Sequence, residues 1–226
     1  MPELCVYAIT ARRAGRITVR GVAGETLQAI PVGRLDAIVG RVRAVPAPTA
    51  RNLRRFDRMM TALWRRTPAL LPARFGTVAR DASDLQAMIH DREPALRRRL
   101  RAVRNRAQMT IRLVEGAGIG NRGPASADLP GSPVPDRRSP TRGRAYMRAR
   151  QRQHAVPAFD PLRASVRRWV RDEKMEKRGG VASMYHLIPS GSTERYRAAL
   201  EHAAHEEGLR VIVSGPWPPY AFADTW

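Results

Sequence analysis

Residues 116–142, GAGIGNRGPASADLPGSPVPDRRSPTR, decide how this chain of 226 residues is divided. The stretch holds Pro124, Pro130, Pro133 and Pro135 before Arg137, several glycines and almost no large apolar side chain. Such a composition has too little apolar surface to offset the entropy of ordering it, so it reads as a linker or mobile loop. One α+β unit is therefore expected on each side: an N-terminal domain over residues 1–115 and a C-terminal domain over residues 143–226, with 116–142 between them.

Upstream, residues 4–10 (LCVYAIT) form a short apolar, β-rich run that predicts a buried strand. Residues 16–24 have the glycine content of a loop or weak hairpin. Two further strands are expected over 27–32 and 35–42, split by Gly33, before Pro46 and Pro48 break the pairing. Thr49 is placed to cap a helix in which Leu53, Phe56, Met60, Leu63 and Trp64 recur at steps of three and four, opposite Arg51, Arg54, Arg55, Arg58 and Arg65. Pro68 ends it. Residues 69–78 (ALLPARFGTV) read as a bent extended segment with corners at Pro72 and Gly76. Asp81 caps a helix bearing Leu85, Met88 and Ile89; Pro94 opens another with Leu96, Leu100 and Val103. Met109, Ile111 and Leu113 then alternate with polar residues, as in a half-buried strand.

Downstream, a helix is expected over 143–153, interrupted around Pro157 and Pro161, with Leu162, Val166, Trp169 and Val170 as the next helical face and Gly179-Gly180 as its stop. Residues 181–188 predict a strand. Ser192 or Thr193 caps a helix bearing Tyr196, Leu200 and Ala203, Gly208 ends it, and 209–214 is the last strand. The order of elements predicts an α+β fold of two α/β-sandwich domains, the N-terminal one ferredoxin-like, joined by the Gly/Pro-rich linker.

The balance of 41 basic against 20 acidic residues gives a formal net charge of +21, and every basic residue except Lys174 and Lys177 is Arg. A field of that sign attracts nucleic acid or anionic surfaces. The arginines are spread through helices and loops alike, however, which also fits the codon bias of a GC-rich genome. The densest stretches, 97–106 and 142–152, have only Tyr146 nearby as a stacking aromatic, so a solvated helix face is favoured over a nucleic-acid site. No run of apolar residues is long enough for a membrane span, and Met1–Cys5 does not open a secretory leader, so a cytoplasmic globular protein is expected.

Several catalytic or ligand-binding patterns fail on chemistry. Residues 118–123 match G-x-G-x-x-G, but Pro124 and Pro130 follow where a dinucleotide site needs a helix to begin. His202 and His205 lie one turn apart without the third ligand zinc requires, so no metal is expected. Cys5 sits in an apolar strand with no base to activate it. Carboxylates are scarce and unpaired. Neither a catalytic constellation nor a cofactor is expected.

Two segments resist a bland reading. Residues 215–222, GPWPPYAF, follow a strand with three prolines in four positions, which makes a stiff extended strip bearing Trp217, Tyr220 and Phe222. Two readings stay open: the strip folds back and seals the core of the second domain, or it is an exposed aromatic docking surface. The other segment is residues 71–78, LPARFGTV, where Gly76 adjoins Phe75 and a buried-looking Arg74 at a strand edge.

With residues 71–77 (LPARFGT), residues 143–146 (GRAY) and residues 214–222 (SGPWPPYAF), the chain resembles the gas vesicle protein F/L family along essentially its whole length. It departs from the family pattern in the first helix, where residues 51–57 (RNLRRFD) lack the usual histidine, and in its Pro-rich linker and extreme charge. The resemblance implies two α+β domains and a non-enzymatic accessory role in building gas vesicles. It further implies binding to the hydrophobic shell protein and other accessory proteins, in a chaperone-like or nucleating capacity, with a location in the cytoplasm on gas vesicles. The expected partner-binding residues are Arg74, Phe75, Gly76, Trp217, Pro218, Pro219, Tyr220 and Phe222. A basic nucleic-acid-binding protein is the alternative, with nucleic acid the less expected partner.

Overall fold

In the computed structural model, residues 3–11, 17–113, 156, 159–178 and 181–223 are described. Strands β1 (Glu3–Ala11), β2 (Leu27–Val32) and β3 (Leu35–Val42) form an antiparallel sheet in the order β2-β3-β1, and β1 is flanked on its other side by two short strands, β4 (Leu70–Pro72) and β5 (Val78–Ala79). Helix α1 (Ala50–Arg66) lies between β3 and β4 in sequence, and α2 (Ala82–His90) and α3 (Glu93–Val103) follow β5. A bulge where β1 shifts register between Val6 and Ala8 organises this sheet. Leu4, Val6 and Ile9 enter one core with Leu85, Ile89, Leu96 and Leu100 of α2 and α3. Cys5, Tyr7 and Ala8 enter the opposite core with Phe56, Met59, Met60 and Leu63 of α1. The extra residue of the bulge is what places Tyr7 and Ala8 on the same face.

Helices therefore cover both faces of the first sheet. The cause is β1 itself, which is apolar at every position from Leu4 to Ile9 and so needs a cover on each side. The expected caps are in place: Thr49 accepts a hydrogen bond from the Asn52 N–H at 3.2 Å and Asp81 from the Asp84 N–H at 2.8 Å. Within α1, Met59 rather than Leu53 completes the buried stripe, and Leu53 is 44% exposed.

The second sheet runs β7-β8-β6-β9, all antiparallel, with β6 (Arg106–Leu113), β7 (Asp172–Arg178), β8 (Val181–Pro189) and β9 (Val211–Trp217). One face carries Met109, Ile111, Ala182, Met184 and Ile188 against α4 (Asp160–Val166) and α5 (Thr193–Glu206), whose Leu162, Val166, Tyr196 and Leu200 are fully buried. Gly208, at φ +61°, ends α5, and the Leu209 N–H returns to the Ala204 carbonyl at 2.8 Å.

Two expectations are corrected here. Strand β6 falls within the expected N-terminal unit, yet it pairs at the centre of the second sheet, so the crossing between sheets falls near Asn105 rather than after Glu115. The cause is long-range pairing with β8 and β9, which local patterning does not encode. The helical face expected through Val170 ends at Val166, and 172–178 (DEKMEKR) is the edge strand β7. Its alternation of Glu173 and Met175 inward is masked because six of its seven residues are charged, the composition that blunts an exposed edge. The helix expected over 143–153, the 118–123 glycine pattern and residues 116–142 lie outside the described residues.

Candidate functional site

The C-terminal strip crosses from the second sheet to the first. It leaves β9 at Gly215, whose φ of +119° and close approach to the Gln108 carbonyl leave no room for a side chain: a Cβ there would sit 2.7 Å from that oxygen. Arg197 of α5 clamps the departure, donating to the Gly215 carbonyl at 2.7 Å. Pro218 and Pro219 are buried, and a 3₁₀ turn at Tyr220–Phe222 then lies along β4. Phe222 and Ala223 join the core under α2 and α3, while Tyr220 packs against the core under α1. The strip thus straddles the β4 edge and touches both layers beside it.

Polar contacts hold it there. The Tyr220 hydroxyl donates to Asp57 Oδ1 of α1 at 3.1 Å, the Ala221 N–H donates to Gln108 Oε1 of β6 at 2.7 Å, and Arg99 Nη1 donates to the Ala223 carbonyl at 3.2 Å. Burial and then the charge of Asp57 push the Tyr220 hydroxyl well above the ordinary tyrosine range, so it stays a donor. Lys174 lies 5.7 Å from the centre of the Phe222 ring. Of the two readings of this strip, the fold-back prevails for Pro218, Pro219 and Phe222, but the core they close is largely that of the first sheet. Trp217 remains half-buried, with its indole N–H 3.4 Å from Ser214 Oγ.

Arg74, Phe75, Gly76 and Thr77 form a tight turn between β4 and β5, closed by the Thr77 N–H on the Arg74 carbonyl at 3.1 Å. Gly76 supplies the positive φ, +83°, that the third position of such a turn requires. The turn is sewn to β1 by the Ala73 N–H on the Tyr7 carbonyl and the Val6 N–H on the Thr77 carbonyl, both 2.8 Å. Phe75 meets Phe56 edge-on at 5.5 Å between ring centres. Arg74, which looked buried in the sequence, is exposed, because the turn directs it away from both cores. The turn and the strip both reach the core under α1, Phe75 on Phe56 and Tyr220 on the neighbouring Asp57.

A buried polar chain in the second layer escaped the sequence reading. His186 of β8 is 0% exposed. Its Nδ1 lies 2.7 Å from the Tyr196 hydroxyl and its Nε2 lies 2.8 Å from Glu173 Oε2, whose carboxylate also pairs with Arg163 of α4 at 2.8 Å. Burial and the nearby Glu173 charge raise the Tyr196 hydroxyl far above its usual range, so it stays protonated beside Nδ1. Glu173 itself would be pushed up by burial, but hydrogen bonds from His186 and Arg163 outweigh that and hold it down at about 2. Among the described residues each member has a partner, and together they tether β7, β8, α4 and α5. The signal was available: His186 shares strand parity with Ala182, Met184 and Ile188.

Cys5 is buried, and burial followed by the Glu25 charge raises its thiol to about 11, which leaves it un-ionised. Among the described residues no group of three or more His, Cys, Asp and Glu side chains is arranged to hold a metal ion. His202 sits beside Glu206 at 3.3 Å on the exposed face of α5. No helix among the described residues is long and apolar enough to cross a membrane.

The remaining feature is an edge. Among the described residues nothing pairs with the outer side of β9. Ile212 there is 54% exposed, the most exposed of the large apolar side chains among the described residues. Beside it, Glu201, Ala204 and His205 of α5 and Leu209 to Ile212 line an open groove of about 460 Å³.

A family model described as gas vesicle synthesis protein GvpL/GvpF matches residues 4–224. Among solved structures, the chain is similar to the gas vesicle protein GvpF from Anabaena sp. PCC7120, with 16% identity over 100% of this chain and 98% of that one and a TM-score of 0.73. It is also similar to GvpF from Microcystis aeruginosa, with 14% identity over 98% of this chain and 99% of that one and a TM-score of 0.70. At such identities these two structures speak to the fold. No curated protein sequence matches the chain.

Proposed function

The chain belongs to the gas vesicle synthesis protein GvpL/GvpF family, and from that premise we propose that it acts in vesicle assembly as a non-catalytic carrier of the hydrophobic shell protein. The observation that supports this reading is the open outer edge of β9 with Ile212 exposed on it. An unpaired edge offers backbone N–H and C=O groups to an incoming strand, and a subunit that must not pair prematurely is protected when it borrows such an edge. Half-buried Trp217 at the end of β9 extends the apolar contact, and the arginine-rich surface keeps the loaded carrier soluble. Arg74, Phe75 and Gly76 form a second contact on the rim of the first layer. Pro218, Pro219, Tyr220 and Phe222 act indirectly, by fixing where β9 ends. The carrier works in the cytoplasm and on the vesicle.

The test is complementation. Cells deleted for the gene are supplied with the wild-type chain or with Ile212→Lys, and buoyant vesicles are counted. The carrier reading expects vesicles only with the wild type, at equal protein levels. Full rescue by Ile212→Lys would remove this edge from the function, and vesicles in the deletion strain itself would remove the accessory role.

A further inference from the structure

We propose that the solvent face of α1 is a docking surface for an acidic amphipathic helix of a partner protein. The proposal rests on the assembly role above and adds a second, separate partner site to it. Arg51, Arg54, Arg58 and Arg65 are all exposed and fall on one side of α1, over an axial distance of about 21 Å at 1.5 Å per residue. Among the described residues none of the four has an ion-pair or hydrogen-bond partner. The only acid on the helix, Asp57, already accepts from Tyr220.

This row works against the helix that bears it. The first turn of α1 holds no acidic residue, so Arg51 and Arg54 stand at the positive end of the helix dipole. Arg51–Arg54, Arg51–Arg55 and Arg54–Arg58 place like charges three or four residues apart, where they repel. Cations in those positions detract from the isolated fold and are offset only when an anionic surface meets them.

The flank of the row selects the class of partner. Leu53, 44% exposed, and half-buried Trp64 lie eleven residues apart on one side of the arginines, which gives an apolar border beside a charged one. An amphipathic helix with carboxylates spaced three, four and seven residues apart matches both borders at the same rise per residue. A phosphodiester chain would use the arginines but leave Leu53 idle, and no aromatic ring stands on the row for base stacking.

The experiment uses the full chain and three probes: a helical peptide of 21 residues with Glu aligned along one face and Leu beside it, a scrambled peptide of the same composition, and single-stranded RNA. Binding is read by fluorescence anisotropy near physiological salt. The aligned peptide is expected to bind at least about tenfold more tightly than the scrambled one, and to lose at least about tenfold on R51E/R54E/R58E. The same variant is expected to keep or raise the melting temperature, because Glu suits the start of a helix. Equal binding of the two peptides, tighter binding of RNA than of the aligned peptide, or binding unchanged in the variant would each overturn the proposal. Shell-protein capture is read on the same variant: its retention there leaves the β9 edge as a separate site whatever the peptides do.

Discussion

Tyr220 and Asp57, 163 residues apart in sequence, meet through a hydrogen bond of 3.1 Å that fastens the C-terminal strip to the first helix. Through it the last described segment of the chain becomes part of the wall beside β4, and the end of β9 is fixed relative to the first sheet. Tyr220→Phe removes the donor and leaves the ring in place. A loss of about 1 kcal/mol is expected, read as a fall in melting temperature of about 2–4 °C. Added to Asp57→Ala, the same change is expected to cost less than it does alone, since the two residues share one interaction.

Gly215 and Gly76 both have positive φ, but their surroundings differ. A methyl group at Gly76 meets nothing within 4 Å, so Gly76→Ala costs only backbone strain, about 1 kcal/mol. At Gly215 the methyl group would also strike the Gln108 carbonyl at 2.7 Å. Gly215→Ala is therefore expected to be the more destabilising in urea denaturation, by at least about 1 kcal/mol beyond Gly76→Ala.

Glu173 gives the second layer a dependence on acid. Its carboxyl titrates at about 2 when folded, against an ordinary value of 4.5 when unfolded. A group whose folded value is depressed adds stability that is fully present above the unfolded value and is lost as pH falls toward the folded one. Stability is expected to drop between about pH 5 and pH 2, by up to about 3 kcal/mol from this residue. In Glu173→Gln that part of the pH profile flattens, as followed by urea midpoints across the range.

The double substitution Trp217→Ala with Tyr220→Ala separates structure from contact. Buried Phe222 and the Ala221–Gln108 bond still hold the strip, so the chain is expected to fold, with a lower melting temperature. Shell-protein capture is expected to weaken through Trp217; unchanged capture by the folded variant would make the strip a core element alone.

Local signals made much of this fold legible. The strands β1, β2, β3, β6, β8 and β9 follow from apolar runs and alternation, and Thr49, Asp81 and Gly208 mark helix ends by chemistry that acts within a few residues. What stayed hidden depends on partners far along the chain. Nothing within residues 106–113 tells that they pair with 181–189 and 211–217 rather than with β1. Strand β7 hid behind its charges. The candidate strip was legible as unusual, because few sequences place Trp, Tyr and Phe among three prolines. Its direction was not, since that depends on Asp57, Gln108 and Arg99, which come from three different elements. Ile212 is exposed because it shares a face with its partner Arg112, opposite the helices, and that β9 is an edge only the sheet order reveals.

In the proposed carrier role, β9 holds the vesicle shell subunit. The direct measurement is co-purification of the shell protein, expressed together with the full wild-type chain or with Ile212→Lys, whose melting temperature is checked first. A complex is expected with the wild type, and at least about tenfold less shell protein with the folded variant, because a charge on that edge disfavours strand addition. Equal recovery of shell protein with both chains would contradict it.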